Sequence, residues 1–383
     1  MTNQTKILIG ILVVLVILVG GLFVYNKLLI PEKPIVPERP TPEKPAIPSE
    51  RVSPKLSVSI PSRLEMTAYK SFSFNFSFGN ERGYPEAKDV NITLTLGETS
   101  ILVTPNNVNI ASGESQNFKA EFNKIPPGDF NLYLKIEGKP DISISKIIPL
   151  KSQIVVGLDE YHVGRIPCWE KGTTVFRAVP LGTTNFLEYL GKENIKTEIF
   201  NSRLTTETLK NINVLIIAYP TQPISISEKE AIKKFLNQGG GLLLAASHLQ
   251  KETEEIRTFA INDLAVSLNL PLKFSTRFCT FDDFSNVWVQ EIIGHPVTSG
   301  INAVLRQCGT LDTDLPLISL VKQDGKGIYA IQYYSNGKIG AIASGEVFTN
   351  QVFDTCHQCQ ELNLNLIKWL ATPPTPEEIE TLG

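Results

Sequence analysis

The sequence predicts a multidomain chain with a single N-terminal transmembrane helix, an all-β sandwich, and an α/β domain of doubly wound type. Three observations carry that prediction. An uncharged apolar run lies near the start, a strict two-residue alternation of phenylalanine with small polar residues follows, and later apolar strand-like segments alternate with helical ones. The expected boundaries are 1–29 for the anchor, 30–53 for a Pro-rich stalk, 54–150 for the sandwich, 151–372 for the α/β domain and 373–383 for a tail.

The anchor rests on Ile7–Tyr25, a 19-residue run without a charge. As a helix rising 1.5 Å per residue it spans about 28 Å, enough to cross the hydrocarbon of a bilayer once. A cleaved signal peptide would have a shorter apolar core and a small-x-small site after it, and neither is present. Lys6 on one side is matched by Lys27 and Lys33 on the other, so charge barely sets the orientation. The short leader and the stalk favour a single-pass protein of the cell membrane with the bulk of the chain on the extracellular face. The expected partners are the membrane, through this helix, and a protein or surface polymer. From Pro31 to Pro48 a proline recurs every two to four residues among alternating Glu and Lys/Arg, which reads as an extended spacer.

With 383 residues, 42% apolar and 20% charged, the chain is globular on average and too long for one small domain. Its 36 Lys and Arg against 39 Asp and Glu leave a net charge of −3 and no basic footprint, so nucleic acid is not an expected partner.

In the sandwich region Phe72, Phe74, Phe76 and Phe78 alternate with Ser73, Asn75 and Ser77, the pattern of a strand with one buried aromatic face. Val90, Ile92, Leu94 and Leu96 repeat it, as do Phe130, Leu132, Leu134 and Ile136, with turn signals at Gly79-Asn80, Gly97-Glu98, Ser112-Gly113 and Pro126-Pro127-Gly128. About seven short strands in roughly 95 residues spell an immunoglobulin-like sandwich. With Asn80, Glu81, Arg82 and Gly83 after the aromatic strand, the pattern resembles the CARDB-like sandwich domains of bacterial and archaeal surface proteins.

From Gln153 onward, strands are expected at Ile154–Leu158, Thr197–Phe200, Val214–Ala218 and Leu242–Ala246, with helices at Thr184–Leu190, from a Ser227/Glu230 capping box to Gln238, over Glu254–Leu268 and over Gln358–Leu370. The Gly239-Gly240-Gly241 run stops the second helix, Leu272–Ser319 reads as inserted or edge strands, and a hairpin forms around Asn336-Gly337. Such alternation implies a mainly parallel doubly wound sheet. The path through Gly157-Leu-Asp-Glu-Tyr-His162, Val214-Leu-Ile-Ile-Ala218, Phe235-Leu-Asn-Gln-Gly-Gly-Gly-Leu-Leu-Leu244, His295-Pro-Val-Thr-Ser-Gly300 and Gly345-Glu-Val-Phe348 resembles glutamine-amidotransferase-like domains. It looks most like their non-catalytic branch, found in gliding-motility ABC-accessory proteins, intraflagellar transport subunits and DUF4350-type proteins. Catalytic members place a cysteine on the turn after the glycine-rich strand. Ala245-Ala246-Ser247-His248 stands there instead, so the resemblance implies a degenerate domain and disfavours glutamine hydrolysis.

Ligands of open α/β sheets collect at the carboxyl ends of the strands. Those ends supply Asp159, Glu160, His162, Tyr219, Ser247, His248 and Glu346 as candidate ligand-binding residues, with no catalytic residue assigned. The first functional reading is a binding or scaffold module. The alternatives are a metal-assisted hydrolase using Asp159, His162, His248 and Glu346, and a thiol-disulfide protein using Cys356 and Cys359. The five cysteines favour disulfides in an oxidising compartment: Cys279 with Cys308 across the inserted region, and a bridge involving Cys356 or Cys359 with Cys168 as one candidate partner. No cofactor is expected; second to the bridge comes a zinc site using Cys168, Cys356, Cys359 and His162 or His357.

Overall fold

The computed structural model describes residues 52–163, 183–218, 220–246, 254–275, 288–305, 309–313 and 317–380. No helix among them is long and apolar enough to cross a membrane. The longest, His357–Ala371, has 15 residues and rises only about 22 Å, short of a roughly 30 Å hydrocarbon core. The fold class is corrected accordingly: the single-pass anchor does not stand, nor do the membrane partner and the extracellular membrane placement that followed from it. The run Ile7–Tyr25 and the stalk segment Pro31–Pro48 lie outside the described residues.

Val52–Gly383 form one compact unit that is mostly β-sheet. Nine strands come first: β1 (Leu56–Ser59), β2 (Leu64–Thr67), β3 (Phe72–Asn80), β4 (Ala87–Leu96), β5 (Thr99–Thr104), β6 (Asn107–Ile110), β7 (Ser115–Phe122), β8 (Gly128–Lys139) and β9 (Ile142–Gln153). They pair in the order β1-β3-β7-β5-β4-β8-β9-β2, with β6 beside β4. β5 turns the corner of this ladder, pairing with β4 at Ile101 and with β7 from Leu102 onward. The sheet thereby folds over itself and its apolar faces meet. Phe74, Phe76 and Phe78 are buried on the inner face of β3, where Phe76 stacks on Phe118 at 5.5 Å and Phe74 on Phe122 at 5.8 Å. Leu94, Leu132, Leu134 and Ile136 close the same core from the opposite face.

Only Ile154 separates β9 from β10 (Val155–Asp159), the first strand of the second sheet. The rest are β11 (Lys196–Phe200), β12 (Val214–Ala218), β13 (Gly241–Ala245), β14 (Leu272–Phe274), β15 (Trp288–Val289), β16 (Glu291–Ile292), β17 (Val304–Leu305), β18 (Leu311–Thr313), β19 (Ile318–Gln323), β20 (Lys326–Tyr334) and β21 (Gly337–Ile342). Their order is β11-β10-β12-β13-β21-β20-β18-β14, with β19 and β16 added beside β20 and β15 pairing only with β17. The five strands from β11 to β21 are parallel. Beyond β21 the pairings are antiparallel, which corrects the mainly parallel doubly wound sheet to a mixed one. The physical reason is the tight turn at Ser335-Asn336, which can only return β21 antiparallel to β20.

Seven helices are described: α1 (Thr184–Lys192), α2 (Thr206–Leu209), α3 (Ile226–Asn237), α4 (Glu254–Ser267), α5 (Asn350–Thr355), α6 (His357–Ala371) and α7 (Pro376–Glu380), the last falling in the expected tail. α3 opens two residues earlier than expected, at Ser225, with Glu228 reaching back to the Ser225 amide at 3.1 Å. The glycine run that ends α3 also has a packing role. A Cβ on Gly241 would lie 2.5 Å from the Leu370 carbonyl, so only glycine lets α6 sit this close to β13.

Asn213, buried just before β12, ties the two sheets together. Its Oδ1 accepts from Val155 N at 2.9 Å and its Nδ2 donates to Ala68 O at 2.6 Å, while Ala68 N donates to Gln153 O at 2.7 Å. Beside it, Thr67 Oγ1 donates to Asn211 O at 3.0 Å. At the start of α6, Cys356 and Cys359 form a disulfide with each other, fully buried. Cys356 Sγ caps the helix by accepting from Cys359 N at 3.1 Å, and Cys359 Sγ accepts from Leu305 N at 3.5 Å. Pairing of either with Cys168 is therefore corrected. Cys168, Cys279 and Cys308 lie outside the described residues, as does the expected Cys279–Cys308 bridge.

Asn213→Ala should cost about 2–5 kcal/mol in urea unfolding, because it strands a buried N–H and a buried C=O. Asn213→Asp keeps the acceptor for Val155 N but sets a carboxylate oxygen against the Ala68 carbonyl in a buried site, so it should cost at least as much. Replacing both Cys356 and Cys359 with serine should cost roughly 2 kcal/mol, the chain-entropy value for so short a loop.

Candidate functional site

The strand order reverses between β10 and β12: β11 follows β10 on one side, β12 on the other. In sheets of this kind the crevice at such a reversal is the natural ligand site. Among the described residues, Glu160 to Val163 run across it. After β10, Glu160 N and Tyr161 N both donate to Phe200 O at 3.0 Å, turning the backbone across the end of β11. His162 then folds back over β10, and its carbonyl accepts from Thr221 N at 2.7 Å and Gln222 N at 3.1 Å, beyond the end of β12. Thr221 Oγ1 adds a bond to Val163 O at 2.9 Å.

The His162 ring is gripped from both sides. Nδ1 lies 2.8 Å from Asp159 Oδ2, and Nε2 faces Glu228 Oε1 at 3.4 Å without hydrogen-bond geometry. Glu228 Oε1 accepts from Leu204 N at 3.0 Å, and Oε2 accepts from the Ser225 amide and hydroxyl. Asp159 and His162 are 1% exposed and Glu228 2%. Burial pulls the His162 pKa down, but the Asp159 and Glu228 carboxylates outweigh it and hold it above its ordinary value. Burial likewise favours the protonated form of Glu228. The Ser225 hydroxyl and amide, the cationic ring and the Leu204 amide overcome it and hold the carboxyl below the usual range. The two ring nitrogens face these two carboxylates, so the cluster ties the loop after β10 to the segments around Leu204 and Ser225.

Glu346, the candidate from the end of β21, is 1% exposed and accepts from the Ser344 hydroxyl. It lies three strand positions from β10, about 14 Å at 4.7–4.9 Å per strand, so it does not join Asp159 and His162. Gly345 N donates to Ala246 O at 2.6 Å, and Ala245 and Ala246 are fully buried. Glu160 is buried at the rim of the plug. Tyr219, Ser247 and His248 lie outside the described residues. Of the expected zinc ligands, Cys356 and Cys359 have their sulfurs bonded to each other, and Cys168 lies outside the described residues. His357 points outward and pairs with Glu361 at 3.4 Å. Among the described residues no group of three or more His, Cys, Asp or Glu is arranged to hold a metal ion.

Glu228 is the residue that sequence reading missed. Its signal was present, since Ser225-x-x-Glu228 is as good a capping box as Ser227-x-x-Glu230.

No protein-family model matches the chain, and no curated protein does. Among solved structures, it is similar to the mmIFT52 N-terminal domain at 18% identity and a TM-score of 0.44, covering 57% of this chain and 97% of that one. It is also similar to cytoplasmic protein STM1381 from Salmonella typhimurium LT2, at 16% identity and a TM-score of 0.42, covering 57% and 99%. A third, cytoplasmic protein STM3548 from Salmonella typhimurium, shares 14% identity at a TM-score of 0.39, covering 64% and 97%.

Proposed function

We propose that the second sheet and its helices form a catalytically degenerate module that binds a ligand or protein and acts as a scaffold. One observation supports this reading: Glu160 to Val163 run across the strand-order reversal, and there the buried Asp159, His162 and Glu228 hold one another and the neighbouring backbone. Groups that an enzyme would present to substrate are spent on holding loops. Metal-assisted hydrolysis by Asp159, His162, His248 and Glu346 lacks comparable support, because Asp159 and Glu346 stand three strands apart. Thiol-disulfide exchange would need an incoming thiolate to reach sulfurs that are fully buried.

The test is direct. Purified chain given glutamine, or given p-nitrophenyl acetate or phosphate with zinc or manganese, is expected to show no turnover above buffer. Turnover that vanishes in a folded Asp159→Asn variant would overturn the reading.

The same cluster sets a pH dependence. A raised His162 pKa adds stability that is complete below its unfolded value, near 6.5, and is lost as pH rises through the folded value. A lowered Glu228 pKa adds stability that is complete above about 4.5 and is lost as pH falls through the folded value. Thermal stability should therefore peak between about pH 4.5 and 6.5, and His162→Gln should flatten the alkaline limb. Removing the ring takes from buried Asp159 its side-chain partner, while Glu228 keeps Leu204 N and Ser225, so His162→Ala should cost about 3 kcal/mol at pH 6 by urea unfolding.

A further inference from the structure

We propose that the β-sandwich carries a binding cleft for an uncharged oligosaccharide, at the end where β5 crosses from β4 to β7. The cleft has a volume of about 780 Å³ and is walled by the β4–β5 turn, the end of β7 with the segment after it, and the start of β8. That size falls within the 300–1,000 Å³ typical of small-molecule sites.

Two kinds of side chain converge there. Leu102 and Tyr133 form an apolar wall that is 62% and 49% exposed. Tyr133 continues onto Ile147, its exposed cross-strand partner on β9. Between and opposite them stand Ser100, Asn123, Asp129 and Asn131, whose side chains make no hydrogen bond or ion pair among the described residues. Elsewhere the sandwich satisfies many of its surface charges internally, as in Lys55–Glu81 at 3.0 Å, Lys135–Glu137 at 2.8 Å and Lys139–Asp89 at 3.0 Å.

The chemistry of the lining selects the occupant. The lining carries two acidic groups, Asp129 and Glu121, and one basic group, Lys124, and Glu121 is already paired with Lys119. Amides donate and accept at once, a carboxylate accepts, and a hydroxyl does both, which matches a ligand dense in vicinal hydroxyls. A partly exposed tyrosine ring beside a leucine suits the C–H face of a pyranose, which is apolar on one side and polar at its edges. An apolar peptide anchor would instead want a continuous hydrophobic pocket. This inference does not depend on how the second sheet is read.

The test is calorimetric titration of the full chain with cellohexaose, chitohexaose and mannohexaose as probes, and with a (Thr-Val)5 peptide. Saturable binding of at least one sugar is expected, weakened at least tenfold in Tyr133→Ala and in Asn131→Ala. Both are surface changes whose folds are checked by circular dichroism, and Ser57→Ala on β1 serves as an unaffected control. Absence of saturable binding by all three sugars, equal binding by both cleft variants, or binding of the peptide in preference to the sugars would each overturn the proposal.

Discussion

The architecture depends on what one buried amide does. Asn213 sits where the end of the first sheet, the start of the second and the loop after β2 come together, and it supplies a donor to one and an acceptor to another. Each of those backbone groups would otherwise be buried without a partner, at a cost near that of a lost hydrogen bond. The Asn213 backbone adds to the junction, its N–H donating to Val155 O at 2.8 Å and its carbonyl accepting from Gly241 N at 2.8 Å. Four chain segments are thus registered on one residue. The side chain of Ala68, from the first half of the chain, packs into the hydrophobic core of the second.

The closed cluster at the end of β10 follows a different logic. A buried ion pair seldom gains net stability over an apolar substitute, but it imposes a geometry, since breaking either contact leaves a desolvated charge. Asp159 and Glu228 fix where His162 lies. The His162 backbone fixes Thr221 and Gln222, and Glu228 also fixes Leu204. Loops from three strand ends are thereby held in one arrangement. This expenditure of titratable groups on position is what the non-catalytic reading rests on.

Much of the sandwich was legible because its signal is local. Phenylalanine at every second position from 72 to 78 can bury one face only as a strand, and Phe118 and Phe122 on β7 complete the aromatic layer. The parallel strands β10, β12 and β13 were legible as short apolar runs bounded by helix signals. What sequence could not give was pairing at a distance. Nothing in Leu272–Ser319 says which side of the sheet its short strands join. Glu228 was passed over because two overlapping capping boxes compete over residues 225–230, and the winner is decided by Leu204 and His162. The junction was missed for the same reason: an asparagine before an apolar strand looks like a loop residue until the carbonyl of Ala68 is placed beside it.

The passage from β9 to β10 through a single buried residue bears on how such a molecule can be divided. The expected boundary at residue 150 falls inside β9, among the residues that pair with β2. A fragment cut there would lose the parallel edge of the first sheet. A fragment begun after it would expose the Asn213 amide and an apolar socket shaped for Ala68. A division made at residue 150 therefore has a cost at both new termini, one in the edge of the first sheet and one at the seat of Ala68.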